Sequence, residues 1–233
     1  MKRTIHRALR AMGLHVQRCR DPYEELARRL PSGSVRTAID GGAYRGTSTE
    51  TLLSLFPGCT VHAFEPQQAS FAKLQECLGG RANIRLFQQA LSSQPGEALF
   101  QVNEKGFTSS LLATNVPGQM KPAGQERVEV TTIDAWSERE GVVPDVIKLD
   151  LQGAELMALR GAANTLSKGV KALLVEVNFA RRYQGACLYF EVAGFLAEQG
   201  FDLHRMYEIV SRQDGQWIHA DALFLSRSES RNH

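Results

Sequence analysis

Asp40-Gly41-Gly42-Ala43-Tyr44-Arg45-Gly46 is the stretch that decides the fold of this 233-residue chain. The apolar run Val35-Arg36-Thr37-Ala38-Ile39 leads into it, and Thr47-Ser48-Thr49-Glu50 follows as a T-x-x-E capping box that opens a helix. Strand, glycine turn and helix start therefore come in that order. Glycine lets backbone approach a ligand closely, because no Cβ stands in the way. Further on, Phe64-Glu65-Pro66 ends a second apolar run with a single carboxylate. The two features together predict a nucleotide or nucleoside site at the first crevice of an open α/β sheet.

Working outward, strands and helices alternate. Strands are predicted at 35–40, 59–64 and 83–88, with helices at 47–56 and 67–78 between them. Two more strands, 97–102 and 126–132, flank a stretch containing glycine and proline. A strand over 144–150 leads to a helix over 154–166, then a strand at 170–177 and a helix at 187–199. Two extended segments, 201–209 and 220–226, close the pattern around Asp214-Gly215 as a hairpin that would supply an antiparallel edge strand. Such alternation predicts a Rossmann-like, doubly wound, mostly parallel sheet. Residues 34–228 form this domain, and residues 1–33 precede it as a basic helical extension.

Composition narrows the function. Net charge is +2, so the chain as a whole is not a nucleic-acid binder. Residues 1–30 hold eight Lys/Arg against Asp21, Glu24 and Glu25, which concentrates +5 there and leaves −3 elsewhere. A helix over 2–19 would place Ile5, Leu9, Met12 and Val16 on one face and Arg3, Arg7 and Arg10 on another. That face suits packing on the domain, a homodimer contact, or weak contact with anionic lipid. A second short helix is predicted from Tyr23 to Leu30. The four cysteines show no CxxC pair, which argues against a zinc site and for reduced, cytoplasmic thiols. No apolar run approaches the roughly 20 residues that span a bilayer.

The glycine spacing separates three ligand classes. A P-loop requires Lys-Ser/Thr after the last glycine, and Gly46 is followed by Thr47-Ser48. The G-x-G-x-x-G of an NAD-dependent oxidoreductase fails, since the glycines fall at 41, 42 and 46. The remaining pattern, D-x-G-x-x-x-G with an acid ending the next strand, is that of methyltransferases using S-adenosylmethionine. There the turn lies beside the methionine portion and the second acid meets the ribose hydroxyls, which makes Glu65 the ribose ligand. Asp40 would meet the ligand ammonium or cap the turn.

Several further motifs give the chain its resemblance to the FkbM-type methyltransferase family. They are Gln89-Ala90-Leu91-Ser92, Thr108-Ser109-Ser110-Leu111, Thr132-Ile133-Asp134, Asp145-Val146-Ile147-Lys148-Leu149-Asp150-Leu151-Gln152-Gly153-Ala154-Glu155 and Leu174-Val175-Glu176-Val177. The resemblance implies a Rossmann-like fold, S-adenosylmethionine as methyl donor, and transfer to a hydroxyl of a saccharide, glycolipid or secondary metabolite. It implies donor contacts along Asp40, Gly42, Tyr44, Gly46, Glu65, Ala90 and Ser109. Two positions depart from the family pattern: Tyr44 stands where Asn is common, and Gln152 where Glu is common.

Methyl transfer to oxygen needs the nucleophile held near the methyl group and a base for its proton. Lys148, Asp150, Gln152 and Glu155 cluster at the carboxyl end of a strand, where such sheets bind ligands. Asp150 is the expected base or substrate-orienting residue, and a Lys148–Asp150 pair that only braces the strand is the alternative. Glu155 would contact substrate or favour its helix start. Asp150, Glu176 and Asn178 would offer oxygen ligands to Mg²⁺. The insertion 103–125 is a candidate lid. Arg181 and Arg182 are candidates to grip an anionic acceptor, or else a solvated loop. Rival functions are an N-methyltransferase, although the usual N-P-P-[YF] is absent, and a non-catalytic cofactor-binding module.

Overall fold

A computed structural model describes residues 21–31, 33–116, 118 and 120–230. The helix expected over 2–19, with its membrane and dimer contacts, lies outside the described residues. Seven strands form the main sheet: β1 (Thr37–Gly41), β2 (Thr60–Phe64), β3 (Ile84–Phe87), β7 (Val146–Leu149), β8 (Ala172–Asn178), β9 (Phe201–Ser211) and β10 (Trp217–Ser226). Their order is β3-β2-β1-β7-β8-β10-β9. The closing hairpin does supply the antiparallel strand, but not at the edge. β10 runs antiparallel to both β8 and β9 and lies between them, so β9 is outermost.

Helices cover both faces, as buried parallel strands require. On one face lie α1 (Pro22–Arg29), α2 (Thr47–Leu55) and α3 (Gln68–Leu78). α1 is not set apart from the domain: Leu26 and Leu30 are fully buried in one cluster with Leu52, Leu174, Tyr207 and Leu223. Asp21 caps α1, its carboxylate accepting from the Tyr23 N–H at 2.8 Å. The other face holds α4 (Ile133–Glu140), α5 (Glu155–Arg160), α6 (Ala163–Leu166) and α7 (Tyr189–Glu198), packed through Trp136, Leu159, Leu166 and Leu196. A last turn, α8 (Arg227–Ser230), follows β10.

Two features differ from the sequence expectation. The helix predicted over 154–166 is broken into α5 and α6. At Gly161 the chain presses on β4 (Gln89–Leu91), so that an added Cβ would fall 2.1 Å from the Ser92 carbonyl oxygen. Asp134 then caps α6, accepting from the Thr165 N–H at 2.7 Å. Secondly, β4, β5 (Gly96–Asn103) and β6 (Pro122–Thr131) form a separate sheet in the order β4-β6-β5, with a small core of Ala90, Phe100, Val128 and Val130. No described helix is long and apolar enough to cross a membrane.

Candidate active site

A cavity of about 340 Å³ opens where β1, β2 and β7 end, between the sheet and the segment 106–111. Its floor is the turn after β1. The T-x-x-E box expected there is absent: Gly46 in the left-handed region is the N-cap of α2, and no side chain caps the helix. Asp40 does that anchoring from the strand instead. It is fully buried, accepts from the Ser48 and Thr49 hydroxyls at 2.6 Å each, and pairs with Lys148 Nζ at 3.0 Å. Lys148 thus has Asp40 as its partner rather than Asp150, and it also donates to the Gly42 carbonyl at 3.0 Å. Burial opposes its charge, but Asp40 and Asp150 outweigh that and raise its pKa.

The turn glycines meet protein as well as cavity. A Cβ at Gly42 would lie 2.0 Å from the Asp150 carbonyl oxygen, and one at Gly46 2.4 Å from Leu78. Both have positive φ, as does Tyr44 at 51°, a value uncommon for a bulky residue. The Tyr44 ring meets Phe107 edge-on at 6.3 Å, joining the turn to the segment over the cavity. Glu65 closes the turn from β2: one oxygen accepts from the Tyr44 N–H and the other from the Gln67 N–H, each at 2.9 Å. Burial pushes the Glu65 carboxyl up to about 7, against those two donors. Ala90 and Ser109 also line the cavity, and Ser109 Oγ accepts from the Asn103 N–H at 3.0 Å.

Behind the β7 end lies a compact carboxylate group. Oxygens of Asp150, Glu155 and Glu176 fall within 4.8 Å of one another. Asp150 faces the cavity, whereas Glu155 is fully buried and accepts from the Leu151 and Gly153 N–H groups at 2.8 and 3.0 Å. Glu155 therefore holds the turn before α5. Burial, then the Glu176 charge, raises both the Asp150 and Glu155 pKa values. The Gln152 side chain fills the gap. Its amide nitrogen lies 2.6 Å from Asp150 Oδ1 and 3.4 Å from Glu176 Oε1, while its oxygen accepts from Tyr183 at 2.7 Å. A cation bridging these carboxylates would compete with that NH₂, and Glu155 is already committed to backbone, so this donor set does not fit Mg²⁺ as it stands. Asn178 is 1% exposed, and neither side-chain amide atom is hydrogen-bonded among the described residues.

The loop arginines are engaged by protein carboxylates rather than aimed into the cavity. Arg181 lies 3.5 Å from Glu191 and Arg182 3.9 Å from Glu176. His62 is packed between Phe87 and Trp136. His204 and His219 sit 3.3 Å from Glu25 and Glu176.

Among the cavity residues that escaped sequence reading are Tyr23 on α1, Glu208 on β9 and Asp221 on β10. Asp221 left one signal, a lone acid within Ala220-Asp221-Ala222-Leu223-Phe224-Leu225. Nothing local marks Tyr23 or Glu208.

The comparisons fit this geometry. The methyltransferase FkbM domain matches residues 40–203. The 2-O-methyltransferase NoeI of Sinorhizobium fredii (strain NBRC 101917 / NGR234) is 27% identical over 159 residues, which cover 63% of this chain and 65% of that protein. The crystal structure of a methyltransferase FkbM from Methylobacillus flagellatus KT superposes with a TM-score of 0.52 at 16% identity, over 87% of this chain and 57% of that one. The chain thus spans about two thirds or less of each of these relatives. With the matched domain covering most of its length, the chain belongs to the methyltransferase FkbM family.

Proposed function

We propose that the protein transfers a methyl group from S-adenosylmethionine to a hydroxyl of a saccharide, glycolipid or secondary-metabolite acceptor, with Asp150 as general base. The observation that carries this reading is one cavity shared by the glycine turn, Glu65 and the half-buried Asp150, whose pKa is raised. The name of the relative NoeI, a 2-O-methyltransferase, supports oxygen as the nucleophile.

The residues fit the donor. Each Glu65 oxygen accepts one backbone N–H, which leaves lone pairs for a ribose diol. Gln89 Oε1 is buried beside the cavity without a partner among the described residues, an acceptor open to a donor group of the ligand. Gly42, Tyr44 and Gly46 shape the backbone next to the methionine portion, and Ala90 and Ser109 close the adenosine side. When bound, S-adenosylmethionine supplies an electrophilic methyl carried by a sulfonium.

The chain's own contribution is then positioning and proton removal. Lys148, tied to Asp40 and the Gly42 carbonyl, fixes the turn against β7. Asp150, steadied by Gln152, accepts the hydroxyl proton as oxygen attacks. Its raised pKa suits that task, because a base is most effective with a pKa near the working pH. The Gln152 amide nitrogen, between Asp150 and Glu176, leaves Asp150 to take the proton without a metal ion.

Isothermal titration with S-adenosylmethionine, followed by labelled methyl transfer onto glycan and metabolite fractions, tests the reading. Asp150→Asn is expected to retain donor binding and to lose about 10²–10⁴ in rate. EDTA is expected to leave the rate unchanged. Unaltered turnover in the Asn variant removes Asp150 as the base.

A further inference from the structure

Resting on that methyl-transfer reading, we infer that Tyr23, Asp221 and Glu208 form an acceptor-binding wall that selects a substrate carrying a protonated amine near the methylated hydroxyl. All three line the cavity, and all three fall outside residues 40–203. The family match therefore does not account for them.

Strand order puts them on the far side from the donor. The glycine turn follows β1 and Glu65 ends β2, on one side of β7. Asp150 follows β7, and Asp221 and Glu208 come from β10 and β9 on the other side. Neighbouring strands lie ≈ 4.8 Å apart, so Asp221 is two strands, roughly 10 Å, beyond β7. A ligand extended from Glu65 to the turn leaves this outer region for the acceptor.

Its chemistry is anionic. Asp221 stands opposite Glu176 in the ladder and faces the same cavity as Asp150. Burial, then the charges of Asp150, Glu176 and Glu208, push its carboxyl up to about 7. Of the two cations that line the cavity, Lys148 is committed to Asp40 and Arg45 belongs to the glycine turn, its guanidinium over the Tyr44 ring. His219 and Arg182 face Glu176 from β10 and the loop after β8, and no salt bridge joins either to Asp221 among the described residues. Carboxylates crowded so closely, with no cation paired to Asp221 or Glu208 among the described residues, favour a positive ligand.

Glu208 is aimed there by the backbone. Tyr207 pairs with Asp221 and Val210 with His219, so Glu208 and Ile209 together oppose Ala220 in a β-bulge. Glu208 takes φ 47°, the left-handed region, within it. Tyr207 remains in the apolar cluster beneath α1 while Glu208 reaches the cavity from the same side. A bulge of this kind re-aims a side chain at a price in regular pairing. Tyr23 adds a phenol from α1, able to donate to or accept from the acceptor.

The test uses the full chain saturated with S-adenosylhomocysteine and titrated at pH 7.5 with D-glucosamine, D-glucose and D-glucuronate. Glucosamine is expected to bind about tenfold tighter than glucose, which corresponds to one favourable charge contact, and glucuronate more weakly than glucose. Asp221→Asn combined with Glu208→Gln is expected to abolish that order while S-adenosylhomocysteine affinity stays as in the wild type. If the double variant loses S-adenosylhomocysteine through misfolding, Glu208→Gln alone, at an exposed residue, is expected to narrow the gap about threefold. Equal affinities for the three sugars, no glucosamine binding at any attainable concentration, or a gap that survives the substitutions overturns the proposal. So does a double variant that weakens S-adenosylmethionine but not S-adenosylhomocysteine with the gap intact, since the wall would then serve the sulfonium. A wild type that binds neither donor form refutes the methyl-transfer reading itself, and this proposal with it.

Discussion

At Gly42 the chain leaves no room for a single added carbon, whereas at Glu208 an exposed side chain is turned inward by a bulge. The two positions represent two ways of building one cavity. The turn side is fixed by backbone: Gly42 against the Asp150 carbonyl, Glu65 holding the Tyr44 N–H, Lys148 holding the Gly42 carbonyl. The outer wall is fixed by side chains from α1, which is held by packing, and from β9 and β10, which are paired as a hairpin. A site for an invariant ligand tolerates the first construction, because its geometry need not change. A site that must suit a particular acceptor gains from the second, because side chains can be exchanged without disturbing the sheet.

The largest effect that would break this contrast is at the turn. Gly42→Ala must place a Cβ on the Asp150 carbonyl at positive φ, and is expected to cost about 3 kcal/mol or more in chemical unfolding. Wild-type stability in that variant would show that the turn is not constrained as described. Next comes Glu65→Ala, which removes the carboxylate partner of two backbone N–H groups and of the proposed ribose diol. Calorimetry should show donor affinity lower by about 1.5–3 kcal/mol, the range for hydrogen bonds to a charged group.

The outer wall gives a smaller effect, and one that depends on pH. Asp221 has a folded pKa of about 7, above the ordinary carboxyl value of 3.8. Its ionisation is therefore easier in the unfolded chain, and the folded state loses stability as pH rises from about 4 to about 7. Asp221→Asn removes that loss. The variant should melt several degrees above wild type at pH 7.5, with the difference vanishing toward pH 4. A gap that does not change with pH would mean that Asp221 is not strained by its charge. The smallest change is Glu208→Gln, at an exposed position: thermal stability should hold within about 0.5 kcal/mol while preference among acceptors shifts. If stability falls instead, the bulge rather than the carboxylate depends on that residue.

The same contrast explains what could be read from the residues. Asp40, Gly42, Glu65, Lys148 and Asp150 sit at strand ends within a few residues of their own turns, so hydrophobic periodicity and turn chemistry locate them. Their roles were less legible than their places. The Thr47–Glu50 box looked like a helix cap, but the Asp40 carboxylate already satisfies Ser48 and Thr49 and Gly46 takes the cap position. Long-range contacts were invisible. The break at Gly161 arises from the Ser92 carbonyl in a different sheet, and Tyr23 reaches the cavity only because Leu26 and Leu30 seat α1 on β8 and β10. Glu208 is the extreme case, since its direction depends on a register shift against a strand that follows it in the chain.

The position of β10 also governs when the outer wall can exist. It follows β8 and β9 in the chain, yet it lies between them. A nascent chain that has not reached residue 217 carries β8 and β9 with open edges, exposed to pairing with other chains. Only the arrival of Trp217–Ser226 closes that gap and brings Asp221 beside Glu176. The donor side needs none of this, because its strands β1, β2 and β7 are complete beforehand. Translation thus separates the two sides of the cavity in time, and the side that carries Asp221 forms after the glycine turn.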